Sequence, residues 1–167
     1  TLEKNKSKHQ VKNLIKFLSK LHNMEIIITS PNFDNENSII KKEFLKFVKQ
    51  NSNAHYYNSL GNKVYTSLLK ITYLVVGNSS SGMMETPSFG TKTINIGTRQ
   101  IGRITSKNII NSDYDFNSIN QSYLKIKKIS KKISNPFLKK NTPTKIAKKI
   151  LNFKFNLKKT FFNIKKI

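Results

Sequence analysis

The residues able to do chemistry gather between Tyr73 and Arg103, in the stretch YLVVGNSSSGMMETPSFGTKTINIGTRQIGR. Ser79 and Ser80 offer hydroxyl donors, Glu85 offers a carboxylate, and Arg99 and Arg103 are the only arginines in the sequence. Hydroxyls and a guanidinium suit a phosphate, and a carboxylate suits the two hydroxyls of a sugar diol. The flanking pattern says how such groups would be held. Tyr73-Leu74-Val75-Val76 is a short apolar, β-branched run that reads as a buried strand. Gly77 to Gly82 breaks it with small residues, and Met83-Met84-Glu85 resumes at helical spacing. The serines therefore stand where a strand hands over to a helix, with free N–H groups and the positive helix end beside them, an arrangement suited to an anion. A second strand, Thr93-Ile94-Asn95-Ile96, leads through Gly97 to the arginines. The residue types alone equally describe an N-cap serine cluster beside two surface arginines, the blander of the two readings.

Ahead of this stretch, Val11, Leu14, Ile15, Leu18 and Leu21 recur at three and four and predict an amphipathic helix from Ser7 to His22, with lysines on its other face. Glu25 to Thr29 reads as a buried strand running into the turn-rich Ser30-Pro31-Asn32-Phe33-Asp34-Asn35. Ligands of parallel α/β sheets gather outside the carboxyl ends of strands, which places Asn32 and Asp34 to meet one; a simple Asx-turn is the alternative. A helix capped by Ser38 is expected to about Asn51, with Ile39, Ile40, Phe44, Phe47 and Val48 inward. His55 to Tyr57 forms a short strand, Ser59-Leu60-Gly61 a turn, and Val64 to Lys70 a helix with Val64, Leu68 and Leu69 inward. Leu60 reads simply as core. Beyond Arg103 come a strand near Asn108-Ile109-Ile110, a loop with Asp113 and Asp115, a helix from Phe116 to Lys132, and a last helix opened by Thr142-Pro143 with Ile146, Ile150 and Leu151 inward. Alternation of strand and helix predicts a doubly wound, Rossmann-like α/β domain with a parallel sheet.

The 167 residues suffice for one ordinary domain. With no cysteine there is neither a disulfide nor a thiolate metal site, and no histidine pair has metal-ligand spacing. No apolar run approaches the ~20 residues of a membrane helix, and the N-terminus lacks a signal pattern, so a cytoplasmic location is expected. The first residue is Thr1 and not Met, which reads as a piece of a longer chain. The formal charge of +23 arises from 31 Lys plus Arg against 8 Asp plus Glu. Lys, Asn and Ile are abundant together while arginine is scarce, so the charge reflects a compositional bias more than selected nucleic-acid contacts, and neither a nucleic-acid nor a membrane partner is expected.

Gly77-Asn78-Ser79-Ser80, Glu85, and Asn95-Ile96-Gly97-Thr98-Arg99-Gln100-Ile101-Gly102-Arg103 together resemble the C-terminal lobe of the hydrolysing UDP-N-acetylglucosamine 2-epimerases of sialic and legionaminic acid synthesis. The resemblance extends to Pro31-Asn32-Phe33-Asp34, matching the family's Pro-Asn-x-Asp, and to Thr1-Leu2-Glu3, which in the family follows the His-Pro pair of the active site. It implies the two-lobed GT-B-type fold of nucleotide-sugar enzymes, with residues 1–151 as the UDP-binding lobe and 152–167 as a basic aromatic tail packing on the N-terminal lobe. It further implies UDP contacts by Asn32, Leu60 (to the uracil, through its backbone), Ser79, Ser80, Glu85 and Arg99. No catalytic residue, metal or cofactor is implied within this chain. Implied partners are a UDP-sugar, the N-terminal lobe, and further copies in a homo-oligomer of the whole enzyme. Leu138-Lys139 departs from the family's Asn-Pro-Tyr-Gly loop after Asn135-Pro136-Phe137, leaving that loop without an assigned ligand role. Two other readings stay open: a glycosyltransferase lobe, against which NIGTRQIGR argues, and a basic RNA- or membrane-binding module.

Overall fold

The computed structural model describes residues 7–32, 36–129 and 135–154. It divides into two compact units between Phe137 and Leu138. In the first unit the elements run α1 (Ser7–Leu18), β1 (Ile26–Thr29), α2 (Asn37–Gln50), β2 (Ala54–Tyr57), α3 (Gly61–Ile71), β3 (Leu74–Gly77), α4 (Ser81–Met84), α5 (Thr86–Phe89), β4 (Lys92–Ile96), β5 (Ile109–Ser112) and α6 (Phe116–Lys127). In the second stands α7 (Thr142–Leu151). Every strand pairing is parallel, as the strand–helix alternation predicts: β1 with β2, and β3–β4–β5 in that order. The α/β, Rossmann-like class expected from the sequence is thus the class observed, with hydrogen bonding dividing the strands into two sheets.

The three-stranded sheet shows how residue type sets its layers. All five residues of β4 are buried, because helices cover both of its faces. Ile94 and Ile96 point into a core with Ile119, Tyr123 and Ile126 of α6. The alternate residue Thr93 points the other way and hydrogen-bonds Thr86 of α5, hydroxyl to hydroxyl, at 2.8 Å. Side chains alternate across a strand, so one strand serves an apolar layer and a polar one. The polar layer is closed by amides: Asn95 donates to Asn111 at 2.8 Å, and the fully buried Asn108 donates to the Thr91 carbonyl. Even Lys92 is buried; its Nζ donates to the Lys127 carbonyl at 2.9 Å, satisfying an orphan acceptor at the end of α6.

A helix that serves two cores explains the one surprise in α1. The three-and-four pattern predicts a single inward stripe, yet both Val11 and Phe17 are buried. Val11 joins the core of β1, β2 and α2, whereas Phe17 enters the core of β4 and α6, edge-on to Tyr123 with centroids 5.4 Å apart. Leu14, Leu18 and Leu21 border both cores. Burial of each such side chain contributes about 1.5–3 kcal/mol, so α1 is the main tie between the two sheets.

Several local expectations are corrected. Ser38 is not a cap: α2 begins at Asn37, and the cap position is Glu36 in the left-handed region, whose side chain makes no capping bond. Asp115 stands in the loop as expected and also serves as the N-cap of α6, accepting the Ser118 N–H at 2.9 Å. Ile39 and Val64 are exposed and not inward as expected, whereas Leu69 is buried and Leu68 half-buried, as expected. In α7 the apolar stripe is uncovered, with Ile146 at 54%, Ile150 at 61% and Leu151 at 83% exposure. A lone helix has no second layer within its own unit among the described residues, and an amphipathic stripe is buried only against another layer. Asp34 and the aromatic tail beyond Lys154 lie outside the described residues.

Candidate functional site

The serine turn follows from the end of β3. Leu74-Val75-Val76 pairs with β4, and Gly77 leaves the strand at φ 152, releasing Asn78, Ser79 and Ser80 as an exposed loop. The chain then re-enters helix at Ser81. Ser79 Oγ accepts the Ser81 N–H at 3.3 Å, a local hydroxyl turn, while Ser80 occupies the cap position without capping through its side chain. Among the described residues the Ser79 and Ser80 N–H groups donate to no protein atom. The turn thus presents two hydroxyls and two backbone donors to solvent. Helix α4 is only one turn long, so its dipole adds little; the donors themselves are the attraction for an anion.

The arginine turn docks onto it. After β4, Gly97 adopts φ 78 and lies against the Tyr114 ring, and its N–H donates to the Ser112 carbonyl at 2.8 Å. This turns the chain so that Arg99 is exposed while its neighbour Gln100 is buried. Gln100 Nε2 donates to the Asn78 carbonyl at 2.7 Å, pinning the arginine turn to the residue before Ser79. Arg99 forms no hydrogen bond or ion pair among the described residues, which leaves its guanidinium available. Arg103, by contrast, rests on Met84 Sδ at 3.5 Å.

Glu85 closes the site from the far end of α4. Its carboxylate is exposed and accepts Ser81 Oγ–H at 2.8 Å. The same Ser81 hydroxyl is hydrogen-bonded by Tyr65 of α3. Burial raises the Tyr65 phenol above its ordinary pKa near 10, the Ser81 bond opposes that, and the Glu85 charge adds to it. Asn135 ties the outer side, donating to the Met84 carbonyl at 3.0 Å and to Ser88 at 2.6 Å.

Ser79 and Ser80 thus follow the carboxyl end of β3 and Arg99 that of β4, the two turns joined by the Gln100–Asn78 bond, while Glu85 stands at the end of α4, held by Ser81. Asn32 and Leu60 lie at the carboxyl ends of β1 and β2. Asn32 is exposed, and its loop is closed by Asn37 Nδ2 donating to the Asn32 carbonyl at 2.7 Å. Leu60 is half-buried at the start of α3. No side-chain contact among the described residues joins either to the serine turn directly; the link runs along α3, from Leu60 to Tyr65 and across to Ser81. Tyr65, Ser81 and Gln100 escaped the sequence reading. Gln100 had a signal, standing inside the NIGTRQIGR match, but Tyr65 had none, since only the packing of α3 beside α5 brings it near. Among the described residues no cluster of His, Asp or Glu is arranged to hold a metal ion, and no helix is long and apolar enough to cross a membrane.

Comparison with known proteins identifies the family. A family model described as UDP-N-acetylglucosamine 2-epimerase matches residues 1–151. A Campylobacter jejuni protein named GDP/UDP-N,N'-diacetylbacillosamine 2-epimerase (hydrolyzing) is 38% identical over 127 residues, covering 75% of this chain and 33% of that protein. An Escherichia coli polysialic acid biosynthesis protein is 29% identical over 98% of this chain and 44% of its own length. A Neisseria meningitidis UDP-N-acetylglucosamine 2-epimerase is 36% identical over 60% of this chain and 26% of its own. The matches thus take in less than half of each of these relatives. A parallel α/β unit with a serine turn, a docked arginine turn and a model match over nearly its whole length leaves one assignment: the chain belongs to the UDP-N-acetylglucosamine 2-epimerase family.

Proposed function

We propose that this chain is the UDP-binding lobe of a hydrolysing UDP-sugar 2-epimerase. The observation that carries the reading is the docking of the Arg99 turn onto the serine turn through Gln100 and Asn78, which ties the turn bearing an exposed guanidinium to the residue that precedes the exposed serines. In this reading Ser79, Ser80 and Arg99 hold the diphosphate, Glu85 holds the ribose diol, and Asn32 and the Leu60 backbone meet the base. The residues divide as 1–151 for the UDP-binding lobe and 152–167 for a tail covering a second lobe. That lobe and further copies of the enzyme are the proposed partners, in the cytoplasm, with nucleic acid and membrane playing no part.

The Campylobacter jejuni relative is named a hydrolysing 2-epimerase; in this reading the reaction is removal of UDP across C1–C2 of the sugar, giving a glycal, followed by hydration to the free 2-epimer. The whole enzyme would release UDP and N-acetylmannosamine, or the 2,4-diacetamido-trideoxy analogue. Leaving diphosphate needs preorganised donors, which this chain offers. Taking the C2 proton needs a positioned base. Glu85 is engaged by Ser81, and among the described residues no second carboxylate converges with it, so the base is assigned to the other lobe and the isolated chain is expected to be inactive.

Calorimetry tests the assignment. UDP should bind the chain, Ser80→Ala should weaken it by about 1.5–3 kcal/mol as a bond to a charged acceptor is lost, and Arg99→Ala should weaken UDP far more than uridine. Equal UDP affinity before and after Ser80→Ala would sink the role of the serine turn. Salt-sensitive binding of polyanions without UDP affinity would favour the basic-module reading instead.

A further inference from the structure

We infer that Tyr65 and Ser81 are positioning residues that hold the Glu85 carboxylate ready for a vicinal diol. The inference rests on the UDP-binding reading and adds to it a device for recognising the sugar next to the diphosphate. Ser81 Oγ lies 2.8 Å from Glu85 Oε2 and is also hydrogen-bonded to Tyr65 Oη. A serine hydroxyl has a single hydrogen, and an ionised carboxylate only accepts. The Ser81 hydrogen must therefore go to Glu85, and the Tyr65–Ser81 bond must run from the phenol to the serine. The result is a one-way chain, Tyr65 O–H to Ser81 O–H to Glu85, that begins on half-buried α3 and ends on an exposed carboxylate.

This chain has three consequences. Each donor polarises the next, so the bond to Glu85 is stronger than a lone serine would make it. Glu85 Oε2 is tied, which restrains a side chain that would otherwise lose rotamer freedom on binding a ligand. The other oxygen, Oε1, forms no hydrogen bond among the described residues and remains with the outer lone pairs of Oε2 to accept from two adjacent hydroxyls. Burial keeps the Tyr65 phenol protonated through the neutral range, so the chain keeps its direction there. Because Tyr65 sits one turn beyond Leu60, the same contact fixes the start of α3 against the serine turn, so that the two halves of the proposed site are held in step.

Tyr65→Phe removes the first donor with the ring kept, and Ser81→Ala removes the link. Two measurements on the full chain separate the possibilities. The first needs no ligand: carbon-13 relaxation of the Glu85 side chain should show greater mobility in Ser81→Ala, and a smaller increase in Tyr65→Phe, since the bond that ties Oε2 has been lost or weakened. Unchanged Glu85 mobility in Ser81→Ala overturns the relay whatever UDP does. The second is calorimetry with UDP and with 2′,3′-dideoxy-UDP. Both variants should weaken UDP about 3–10-fold and leave the dideoxy nucleotide unaffected, with the double variant no worse than Ser81→Ala. Equal loss for both nucleotides overturns diol positioning and makes the relay merely structural. Failure of the unsubstituted chain to bind UDP refutes the underlying reading, and with it the diol, while the relaxation measurement still decides whether the relay exists.

Discussion

Gly97→Ala is the sharpest test of how the arginine turn is built. Gly97 holds φ 78, where a side chain costs about 1–2 kcal/mol. A Cβ there would overlap the Tyr114 ring, meeting Cζ and Oη and standing 2.6 Å from Cε1. The obstacle is a ring packed against the apolar core and not a flexible chain end, so it cannot swing aside freely. Forcing such an overlap costs a further 1–3 kcal/mol, roughly, by analogy with overpacked cores. The sum is about 2–5 kcal/mol, a large part of the stability of a small domain. Urea unfolding followed by circular dichroism should show the midpoint falling with little change in slope. Tyr114→Ala, alone and combined with Gly97→Ala, divides the cost. The clash should vanish in the double variant, giving a coupling of about 1–3 kcal/mol, while the backbone share remains. A loss below 1 kcal/mol in the single variant, or strict additivity in the cycle, would refute the reasoning. A variant that retains its fold should still bind UDP more weakly, because the same turn carries Arg99.

Other outcomes follow from single contacts. Asn108→Ala leaves the buried Thr91 carbonyl without its donor and should cost about 1–3 kcal/mol, read as a lower urea midpoint. Asp115→Ala should lower the melting temperature at neutral pH. Hydrogen bonds to Ser118 depress the Asp115 pKa, so its contribution is present above the ordinary carboxylate range and lost as pH falls through the depressed value. The gap between wild type and variant should therefore close on acidification below about pH 4. Tyr65 has the opposite sign. Its raised pKa makes its contribution complete below about pH 10 and lost as pH climbs above that, so Tyr65→Phe should flatten the alkaline limb of the stability profile. Finally, the uncovered stripe of α7, together with Phe153 at 57% exposure, should promote self-association as added salt screens the lysines. Light scattering across a salt series should show that deleting residues 152–167 relieves it only in part, because Ile146, Ile150 and Leu151 remain.

Much of the fold was legible because its signals are local. Short β-branched runs, three-and-four apolar spacing and glycines at turns placed all five strands and all the longer helices to within a few residues. What failed was whatever depends on a second element. Phe17 lies off the predicted stripe because α1 faces two cores, and one helix read alone has only one face. Val64 reads as apolar and inward by type, yet it is exposed, while Leu69 on the same helix is buried and its carbonyl accepts the Thr91 hydroxyl from the residue before β4. The buried polar layer of Thr86, Thr93, Asn95 and Asn108 is invisible in sequence for the same reason: each residue is unremarkable until strand register puts it opposite a partner.

The candidate site divides along the same line, and the division explains its form. Ser79, Ser80 and Arg99 were legible because each stands within a few residues of a strand end whose position is local, and Glu85 because it follows the serine turn by one short helix. Gln100 and Tyr65 were not, because neither is offered to a ligand by the fold; each reaches sideways to fix a neighbour. Loops at strand ends are free to carry binding groups because no ladder constrains them, but that freedom leaves them imprecise. Here the imprecision is removed by side chains from flanking turns and helices. Gln100 holds the serine turn through the Asn78 carbonyl, and Tyr65 holds Glu85 through Ser81. A site built this way should tolerate change at exposed Arg103 better than at buried Gln100, although arginine is the residue that looks functional. Replacing each by alanine and comparing UDP affinity decides it: a larger loss at Arg103 would mean that direct charge, and not the docking of one turn on another, governs the site.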